Sequence, residues 1–483
     1  MLEASAPTTL REPQRNARLR RLDWRFLLRQ AEQPGPEDLL VLRRATRAEL
    51  RRAHARLRPG GEVLCRRRLP LPGTARRLRR SLQRAGFEGV RIHWAWPPQR
   101  RSPAFWLPID EPLAVAYLLR LRPVAAWPQA VARRLWRVAA AIGALAPLTA
   151  IARKPGAPAA ADEIEALLPD GGDSAWLLLT GGKRSINKVV GVPFATGREA
   201  PRCVVKFARV VEAEEGLERE VSVLRALDAE RPQLAGIPRV IASGRRAGRL
   251  AVAQTALAGR PLLASLSART FPEHAERVAD WLVELAGRRP PQAAEEWQGR
   301  LVEAPLADFE SSFGPFLAAA ERQRLRALLG QLPALPPTCE HRDCSPWNLL
   351  VDRDGSLAAV DWESAEPHGL PGLDLAYFLI NAAFVLEEAL DSGRTREAYA
   401  RLLDPASATG EVFARCTGSY CERLGIDPDT FARLRLLCWV VHCRSDRRHL
   451  AMAAGGPPAA AELNSSLHLG LLQDDLARQE NSR

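Results

Sequence analysis

Two clusters of polar residues carry the side chains in this chain that are best suited to chemistry. The first is His341-Arg342-Asp343-Cys344-Ser345-Pro346-Trp347-Asn348, and the second is Asp361-Trp362-Glu363. Two apolar runs around Asp354-Gly355 separate the clusters, which predicts a two-residue hairpin turn. That register places Asn348 directly opposite Asp361. An amide oxygen and a carboxylate that meet at one point suit Mg²⁺, which binds a few protein oxygens and completes its shell with water and phosphate.

Asp343 lies five residues before Asn348, on a loop that Pro346 helps to keep out of a helix. A carboxylate at this place could accept a proton from a substrate hydroxyl while a cation holds phosphate oxygens. We therefore predict Asp343 as the catalytic residue, and Asn348 and Asp361 as the metal ligands.

The spacing H-x-D-x-x-x-x-N, with a second Asp thirteen residues later, resembles the catalytic and metal-binding loops of the protein-kinase-like superfamily. The segments SPWN, LLVD and AAVDWE are similar in particular to the aminoglycoside phosphotransferase and choline kinase branch. This resemblance implies a two-lobed α+β fold that uses ATP and Mg²⁺. It also implies an acceptor hydroxyl on a small molecule such as a sugar, an aminoglycoside or an amino alcohol. The chain departs from that branch at Arg342, where most members have Gly.

Lysine is rare in this chain, since only four of the 69 basic residues are Lys. Lys206 lies in a short apolar run typical of a strand, where a compact ammonium could reach phosphate oxygens that a planar guanidinium does not fit. Helical periodicity follows from Glu215 to Leu227 and offers Glu218 and Glu220 as partners. By resemblance to the kinase pattern R-E-x-x-x-L, Glu220 is the preferred partner of Lys206, with Glu218 as the alternative.

A predicted strand over 174–180 leads into a loop that contains two glycines. Glycines let backbone N–H groups approach an anion closely, so we predict that this loop covers the nucleotide phosphates through Gly181, Gly182, Lys183 and Ser185. An ordinary hairpin turn is the alternative. Residues 249–261 resemble the last strand of a kinase small lobe and the hinge, which implies that backbone groups from Gln254 to Leu257 contact the adenine edge.

Charge changes sharply along the chain and marks two domains. Residues 1–150 hold 30 Arg and 11 acidic residues, a balance of +19, whereas the remainder carries −6. The boundary falls in the Pro/Ala-rich segment 154–162. We predict a basic domain over 1–155, a linker over 156–164, a small lobe over 165–260 and a large lobe over 261–475.

The basic domain resembles the later half of a class I methyltransferase. Leu57-Arg-Pro-Gly-Gly precedes an apolar run, a helical segment follows over 75–85, and Ala85-Gly-Phe precedes the run that ends at His93. Such folds bind S-adenosylmethionine through a Gly-rich turn after their first strand, and the chain before residue 57 has no such turn. We therefore predict a small α/β remnant with a structural or docking role, and an active methyltransferase is the poorer hypothesis.

The net charge of +13 raises the question of acidic partners. No nucleic-acid-binding motif is present, so nucleic acid is not expected as a partner. The apolar segment 125–152 has two interpretations, a helix packed on its own domain or a segment lying on a membrane surface. Its longest charge-free run has 15 residues, short of the roughly 20 needed to cross a bilayer, so no transmembrane segment is expected.

Eight dispersed cysteines and the absence of an evident signal peptide favour free thiols in a cytoplasmic protein. Asp374 resembles the buried aspartate that braces the catalytic loop in kinase-like folds. Two rival functions stay open, a catalytically silent nucleotide-binding module and a protein kinase. The complete chemical set disfavours the first, and the short run from Asp361 to Asp374, with no A-P-E segment, disfavours the second. No signature in the later helices identifies the acceptor or distinguishes ATP from GTP.

Overall fold

The chain is described here by a computed structural model. The residues that it describes are 37–42, 45–67, 73–96, 104–121, 148–156, 174–180, 188–194, 200–201, 203–246, 248–287, 289–454 and 456–481. They form two compact units. The first unit comprises Met1–Val221 and Pro238–Ala256, and the second comprises Ser222–Ile237 and Leu257–Arg483. Helices and strands are both abundant, which confirms the predicted α+β class.

The first unit is built on one ten-stranded sheet. Its strands are β1 Leu39–Leu42, β2 Glu62–Arg67, β3 Glu88–Trp96, β4 Phe105–Pro108, β5 Leu148–Arg153, β6 Ala175–Leu179, β7 Val189–Phe194, β8 Cys203–Phe207, β9 Val240–Arg246 and β10 Arg249–Thr255. Their order across the sheet is β1-β2-β5-β3-β4-β6-β7-β8-β10-β9. Only β1 and β2 pair in parallel among these ten described strands. Backbone pairing is therefore unbroken from the basic part of the chain to the strand that carries Lys206.

Four described helices accompany this sheet: α1 Arg47–Arg56, α2 Thr74–Arg84, α3 Pro112–Leu121 and α4 Glu214–Glu230, whose last residues belong to the second unit. Helix α1 starts with a capping box between Thr46 and Glu49. In α2, Leu78 and Leu82 are four residues apart and both buried, while the arginines between them face outward. The helical periodicity predicted from Glu215 onward is confirmed by α4.

One hydrophobic cluster joins residues from both sides of the predicted linker. Trp106 and Ile151 pack in the same cluster as Trp176, Val205 and Phe207. Hydrogen bonds also connect the two sides of the linker. The Thr180 amide donates to Ala104 O at 2.9 Å. His93 Nε2 lies 3.1 Å from Trp176 O, and burial lowers the pKa of His93 to about 3, so the ring is neutral and donates this bond. The boundary at 156–164 stays a prediction, and residues 157–164 lie outside the described residues.

The structure corrects part of the prediction for segment 125–152. Residues 148–152 belong to β5, which pairs with β2 on one side and β3 on the other and is almost fully buried. These residues are therefore an interior strand and not a helix or a membrane-surface segment; residues 125–147 lie outside the described part of the chain. Within the described ranges, no helix has the length and apolar character needed to cross a membrane.

The second unit is mostly helical. Two small sheets hold its strands, β12 Thr338–Glu340 with β15 Glu366–Gly369, and β11 Arg260–Pro261 with β13 Leu349–Val351 and β14 Leu357–Ala359. The helices are α5 Phe271–Ala286, α6 Ala294–Gln298, α7 Ala304–Phe313, α8 Ala319–Leu329, α9 Leu373–Leu386, α10 Ala389–Ser392, α11 Thr395–Leu402, α12 Ala408–Leu424, α13 Pro428–Ala454, α14 Ala460–Asn464 and α15 Leu467–Asn481. All eight cysteines of the chain are buried free thiols, as predicted.

Candidate active site

The loop between β12 and β13 carries Asp343 and Asn348 and brings their side chains together. Asn348 Nδ2 donates to Asp343 Oδ2 at 2.8 Å and to Asp343 O at 3.0 Å. Asn348 is almost buried, whereas Asp343 remains partly exposed. Because both contacts use the amide nitrogen, the side-chain oxygen of Asn348 is the atom that remains for a cation. The spacing of five residues thus corresponds to a direct contact.

The predicted register of the hairpin is wrong by one residue. Leu349 pairs with Ala359 and Val351 with Leu357, so Asn348 lies opposite Val360 and not Asp361. The turn contains three residues, because the Asp352 amide donates to Ser356 O at 3.0 Å. Gly355 closes it with a φ of 84°. A turn that ends in a left-handed glycine adds one residue to the two-residue turn that Asp-Gly indicated.

Asp361 is held close to the catalytic loop through its neighbour Val360. The Val360 amide donates to Asn348 O at 2.9 Å. His341 Nε2 lies 3.0 Å from Val360 O, and His341 Nδ1 accepts the Asp343 amide at 3.2 Å. Nδ1 is therefore the unprotonated nitrogen, and Nε2 donates. Asp361 itself has a φ of 73°, a conformation that Asp tolerates better than most residues, and the turn starts the short 3₁₀ helix Trp362–Ser364.

Asp374, at the start of α9, braces the catalytic loop, as the resemblance implied. It accepts the His341 amide at 2.6 Å and the Arg342 amide at 2.8 Å, each on a different carboxylate oxygen. Burial and the nearby carboxylate of Glu340 raise the pKa of Asp374 to about 7, while the two amides and Arg342 act to lower it. The brace is strongest when Asp374 is ionised, since only then do both oxygens accept freely.

Arg342 occupies the left-handed region with a φ of 60°. For a residue with a Cβ this conformation costs about 1–2 kcal/mol, which explains why Gly is common here in the resembling branch. The side chain turns back to Glu340, with Nε 2.7 Å from Oε2. Burial disfavours the charge of the guanidinium, but Glu340 and Glu366 together raise the pKa of Arg342 above its usual value.

Lys206 and Glu220 form a buried ion pair in the first unit. Lys206 Nζ donates to Glu220 Oε1 at 2.6 Å, and the two residues are 6% and 0% exposed. The alternative partner Glu218 lies on the exposed face of α4. The strand predicted around Lys206 is β8. The ion pair thus fixes a single ammonium at the end of a rigid strand, which is a suitable place for a phosphate-binding cation.

The predicted phosphate-covering residues Gly181, Gly182, Lys183 and Ser185 lie outside the described residues. The strands predicted on either side are present as β6 and β7, paired antiparallel with Leu179 opposite Val190. Thr180, the last residue before the loop, accepts a hydrogen bond from Arg209 at 2.9 Å. Arg209 is 1% exposed and was not identified from the sequence. The sequence feature that could have identified this residue is an arginine inside the apolar run Phe207–Val211.

Gln254 and Leu257 lie at the end of the first unit and the start of the second, respectively. Strand β10, predicted to lead to the hinge, ends at Thr255, one residue after Gln254. The strand register shifts between Ala253 and Gln254. The Gln254 side chain is buried, and its Nε2 has no hydrogen-bond partner among the described residues. The proposed role of the backbone from Gln254 to Leu257 stays a prediction.

Comparison with known proteins identifies a family match that covers the residues of the candidate site. Residues 193–409 match the model of the phosphotransferase enzyme family. The matched range includes Lys206, Glu220 and the whole catalytic loop through Asp374, and it covers somewhat less than half of the chain. The resemblance drawn from the catalytic-loop residues is thereby confirmed for this part of the chain. The methyltransferase-like segment lies outside the matched range. No curated protein sequence matches the chain significantly.

Several solved structures are similar to the chain. Aminoglycoside phosphotransferase APH(3'')-Id from Streptomyces rimosus is 18% identical with a TM-score of 0.37, over 58% of this chain and 96% of that one. A thermostable mutant of aminoglycoside phosphotransferase APH(4)-Ia is 14% identical with a TM-score of 0.41, over 66% and 99%. A glucosamine kinase is 15% identical with a TM-score of 0.35, over 57% and 74%. These values are too low to transfer a substrate.

Proposed function

We propose that this protein is an ATP-dependent phosphotransferase that moves the γ-phosphate to a hydroxyl of a small molecule. The observation that carries the proposal is the contact between Asp343 and Asn348 on a loop braced by Asp374. Asp343 is partly exposed and is the residue that takes the proton from the acceptor hydroxyl. Asn348 and His341 fix the position of its carboxylate and its backbone.

Two oxygen donors fit a hard cation such as Mg²⁺. Asn348 turns its amide nitrogen to Asp343, which leaves its carbonyl oxygen as a ligand, and Asp361 adds a carboxylate one residue beyond the paired Val360. A bound Mg²⁺ would neutralise charge on the phosphate oxygens during transfer. Few protein oxygens are needed, because Mg²⁺ keeps several waters and phosphate ligands. Lys206, oriented by Glu220, supplies a further positive charge for phosphate oxygens.

The short segment after Asp361 supports a small-molecule acceptor. Residues 362–373 are occupied by the 3₁₀ helix, β15 and the start of α9, so this stretch has no room for a long protein-binding activation segment. That arrangement favours a small acceptor over a protein. Sugars, aminoglycosides and amino alcohols are the acceptors that we propose to test first.

For residues 1–155 we propose a methyltransferase-like remnant with a structural role. Leu57-Arg-Pro-Gly-Gly leads into β2, and Ala85-Gly-Phe leads into β3, which forms an antiparallel ribbon with β5. Both placements agree with the resemblance. Because β4 pairs with β6, this segment extends the sheet that carries Lys206, which supports a structural role in the first unit. Calorimetry with S-adenosylmethionine tests the remnant interpretation, and micromolar binding would overturn it.

Mg²⁺-dependent ATP turnover across a panel of hydroxylated metabolites tests the proposed activity. We expect turnover with at least one acceptor, and we expect Asp361→Ala to abolish it while the circular dichroism spectrum is unchanged. The matched control is Asp354→Ala, which removes an exposed carboxylate from the turn of the same hairpin. Turnover that survives Asp361→Ala would contradict the assignment of this residue to the metal.

A further inference from the structure

Three carboxylates hold Arg342 in the catalytic loop, two through its guanidinium and one through its backbone amide. Asp374 accepts the amides of His341 and Arg342. Glu340, 1% exposed, accepts from Arg342 Nε at 2.7 Å. Glu366 Oε2 lies 3.9 Å from Arg342 Nη1 and is also paired with a second arginine of the same unit. The Arg342 guanidinium therefore pairs with Glu340 and Glu366, and its charge also acts on Asp374, which holds the backbone of the same residue.

The surroundings of Glu340 provide space and a hydrogen-bond donor for its carboxylate. A Cβ at Gly369 would lie 2.1 Å from Glu340 Oε1, so the glycine provides the space that this oxygen occupies. The Leu370 amide donates to the same oxygen. Glu340 is thus held on one side by the backbone of β15 and its following residue, and on the other by Arg342. The ion pair with Arg342 offsets part of the cost of burying this carboxylate.

The backbone at residue 342 does not itself require an arginine. Its φ of 60° is one that glycine adopts without strain. If conformation were the whole requirement, glycine would serve better. What arginine adds is the guanidinium, whose contacts with Glu340 and Glu366 offset the strain of the backbone.

We propose that Arg342 is a positioning residue, whose guanidinium offsets the negative charge of Glu340 beside Asp374 so that Asp374 can hold the backbone that presents Asp343. This inference rests on the proposed phosphotransferase function. Without Arg342, the charge of Glu340 acts on Asp374 without compensation and favours its protonated form, and a protonated Asp374 offers only one free oxygen to two amides. The loop would then lose one of the hydrogen bonds that fix it.

Several charged and titratable groups act on Asp374 or on its partner Arg342. They come from β12, the catalytic loop, β15, α12 and α13, and they are Cys339, Glu340, Arg342, Cys344, Glu366, Tyr420 and Cys438. Arg342 is the cation of this set. The three thiols and the phenol are neutral, since burial raises the pKa of each of them.

The test compares Arg342→Gly with the double variant Arg342→Gly and Glu340→Gln. The single variant relieves backbone strain, yet we expect kcat to fall on the order of tenfold or more, as when a buried charged hydrogen bond is lost. KM for ATP should stay within about twofold, because nucleotide binding is not involved. The acidic limb of the kcat profile should move to higher pH. The double variant should recover a large part of the lost kcat.

The matched control is Arg353→Gly, which removes one exposed arginine from the hairpin turn and should leave kcat unchanged. Amide hydrogen exchange over residues 341–348 is measured on the same proteins and needs no turnover. We expect faster exchange in Arg342→Gly and slower exchange again in the double variant. An Arg342→Gly protein with wild-type kcat, or with wild-type exchange, would overturn the inference. Absence of wild-type turnover with unequal exchange would instead overturn only the proposed function.

Discussion

Asp343 has few ways to move. Its carboxylate accepts from Asn348 Nδ2, and its amide donates to His341 Nδ1. His341 is in turn fully buried, with its ring edge-to-face against Trp362 at 4.7 Å between centroids. In the proposed role as base, a carboxylate fixed on several sides loses little entropy when the acceptor binds, so more of the binding free energy is left for the transition state.

Asp343→Asn should keep nucleotide binding and lose phosphoryl transfer. The amide keeps the size of the carboxylate but does not accept a proton, so kcat should fall by a factor on the order of 10² or more. Single-turnover kinetics and ATP titration by calorimetry measure the two effects separately. Asp354→Asn, in the exposed turn, is the control. Weak ATP binding with an intact transfer rate would assign Asp343 to the nucleotide and not to the acceptor.

Asp374 should leave a signature in the pH dependence of stability. Its pKa in the folded protein is raised to about 7 from the usual 3.8, so the folded state binds a proton that the unfolded state has lost between these values. The free energy of unfolding should therefore decrease as pH rises from 4 to 7, by an amount on the order of a few kcal/mol.

Urea unfolding of the wild type and of Asp374→Asn at pH 4, 5.5 and 7 checks this sign. The variant lacks the ionisable group, and the part of the slope that Asp374 contributes should disappear from it. An identical slope in both proteins would show that Asp374 titrates near its ordinary pKa. The pH dependence of kcat should have the opposite sign to that of stability. Because ionised Asp374 holds the loop, kcat should rise as the pH increases through about 7.

The resemblance to the kinase pattern preferred Glu220 over Glu218 as the partner of Lys206, and the ion pair is present. The contact between Asp343 and Asn348, five residues apart on one loop, was not predicted as a pair. Glu340 could not be assigned a partner in this way. Its environment is completed by Gly369, about thirty residues further along the chain, through the pairing of β12 with β15. Side-chain partners that depend on such pairing do not appear in the local pattern.

At the level of elements, the hairpin between β13 and β14 shows the limit of a turn signal. Asp354-Gly355 correctly indicated the turn, but the signal did not distinguish two turn residues from three. The difference shifted the predicted partner of Asn348 from Asp361 to Val360. Asp361 still lies next to the paired residue, so Asn348 and Asp361 both remain at the end of the hairpin.

The Lys206–Glu220 ion pair, which joins β8 to α4, can be tested with a control residue on the same helix. Glu220→Gln removes the carboxylate that orients the Lys206 ammonium, and KM for ATP should rise on the order of tenfold. Glu218→Gln changes the same charge two residues away on the exposed face of α4, and it should have no effect. Steady-state kinetics with ATP as the varied substrate measures both. Equal effects in the two variants would indicate that Lys206 does not need the buried partner.

For the molecule as a whole, the predicted boundary implied that the residues after the linker fold without the basic domain. The sheet leads to a different expectation. Phe105 and Trp106 of β4 pair with Leu179 and Leu178 of β6, so a chain without residues 1–155 exposes an apolar strand edge. We expect a lower melting temperature and more aggregation for this shortened protein. Calorimetry and light scattering test it against the full chain, and unchanged values would confirm the boundary as a domain limit.

The charge contrast along the chain indicated two domains, yet the first unit runs across it. Charge patterns report the composition of the surface, whereas strand pairing is determined by backbone groups and by apolar faces such as those of Trp106 and Trp176. A domain limit inferred from surface charge therefore does not have to coincide with an end of a sheet.

The strand order also bears on how the chain folds as it leaves the ribosome. β5 is the last strand of the basic segment to be made, yet it lies between β2 and β3. The two earlier strands do not pair with each other in the finished sheet, so the common partner of their inner edges, residues 148–153, is the last of the three to be made. After that, each later strand from β6 to β8 adds to an edge that already exists. The basic segment then offers the β4 edge to β6, and the Lys206 strand joins the sheet two strands further on.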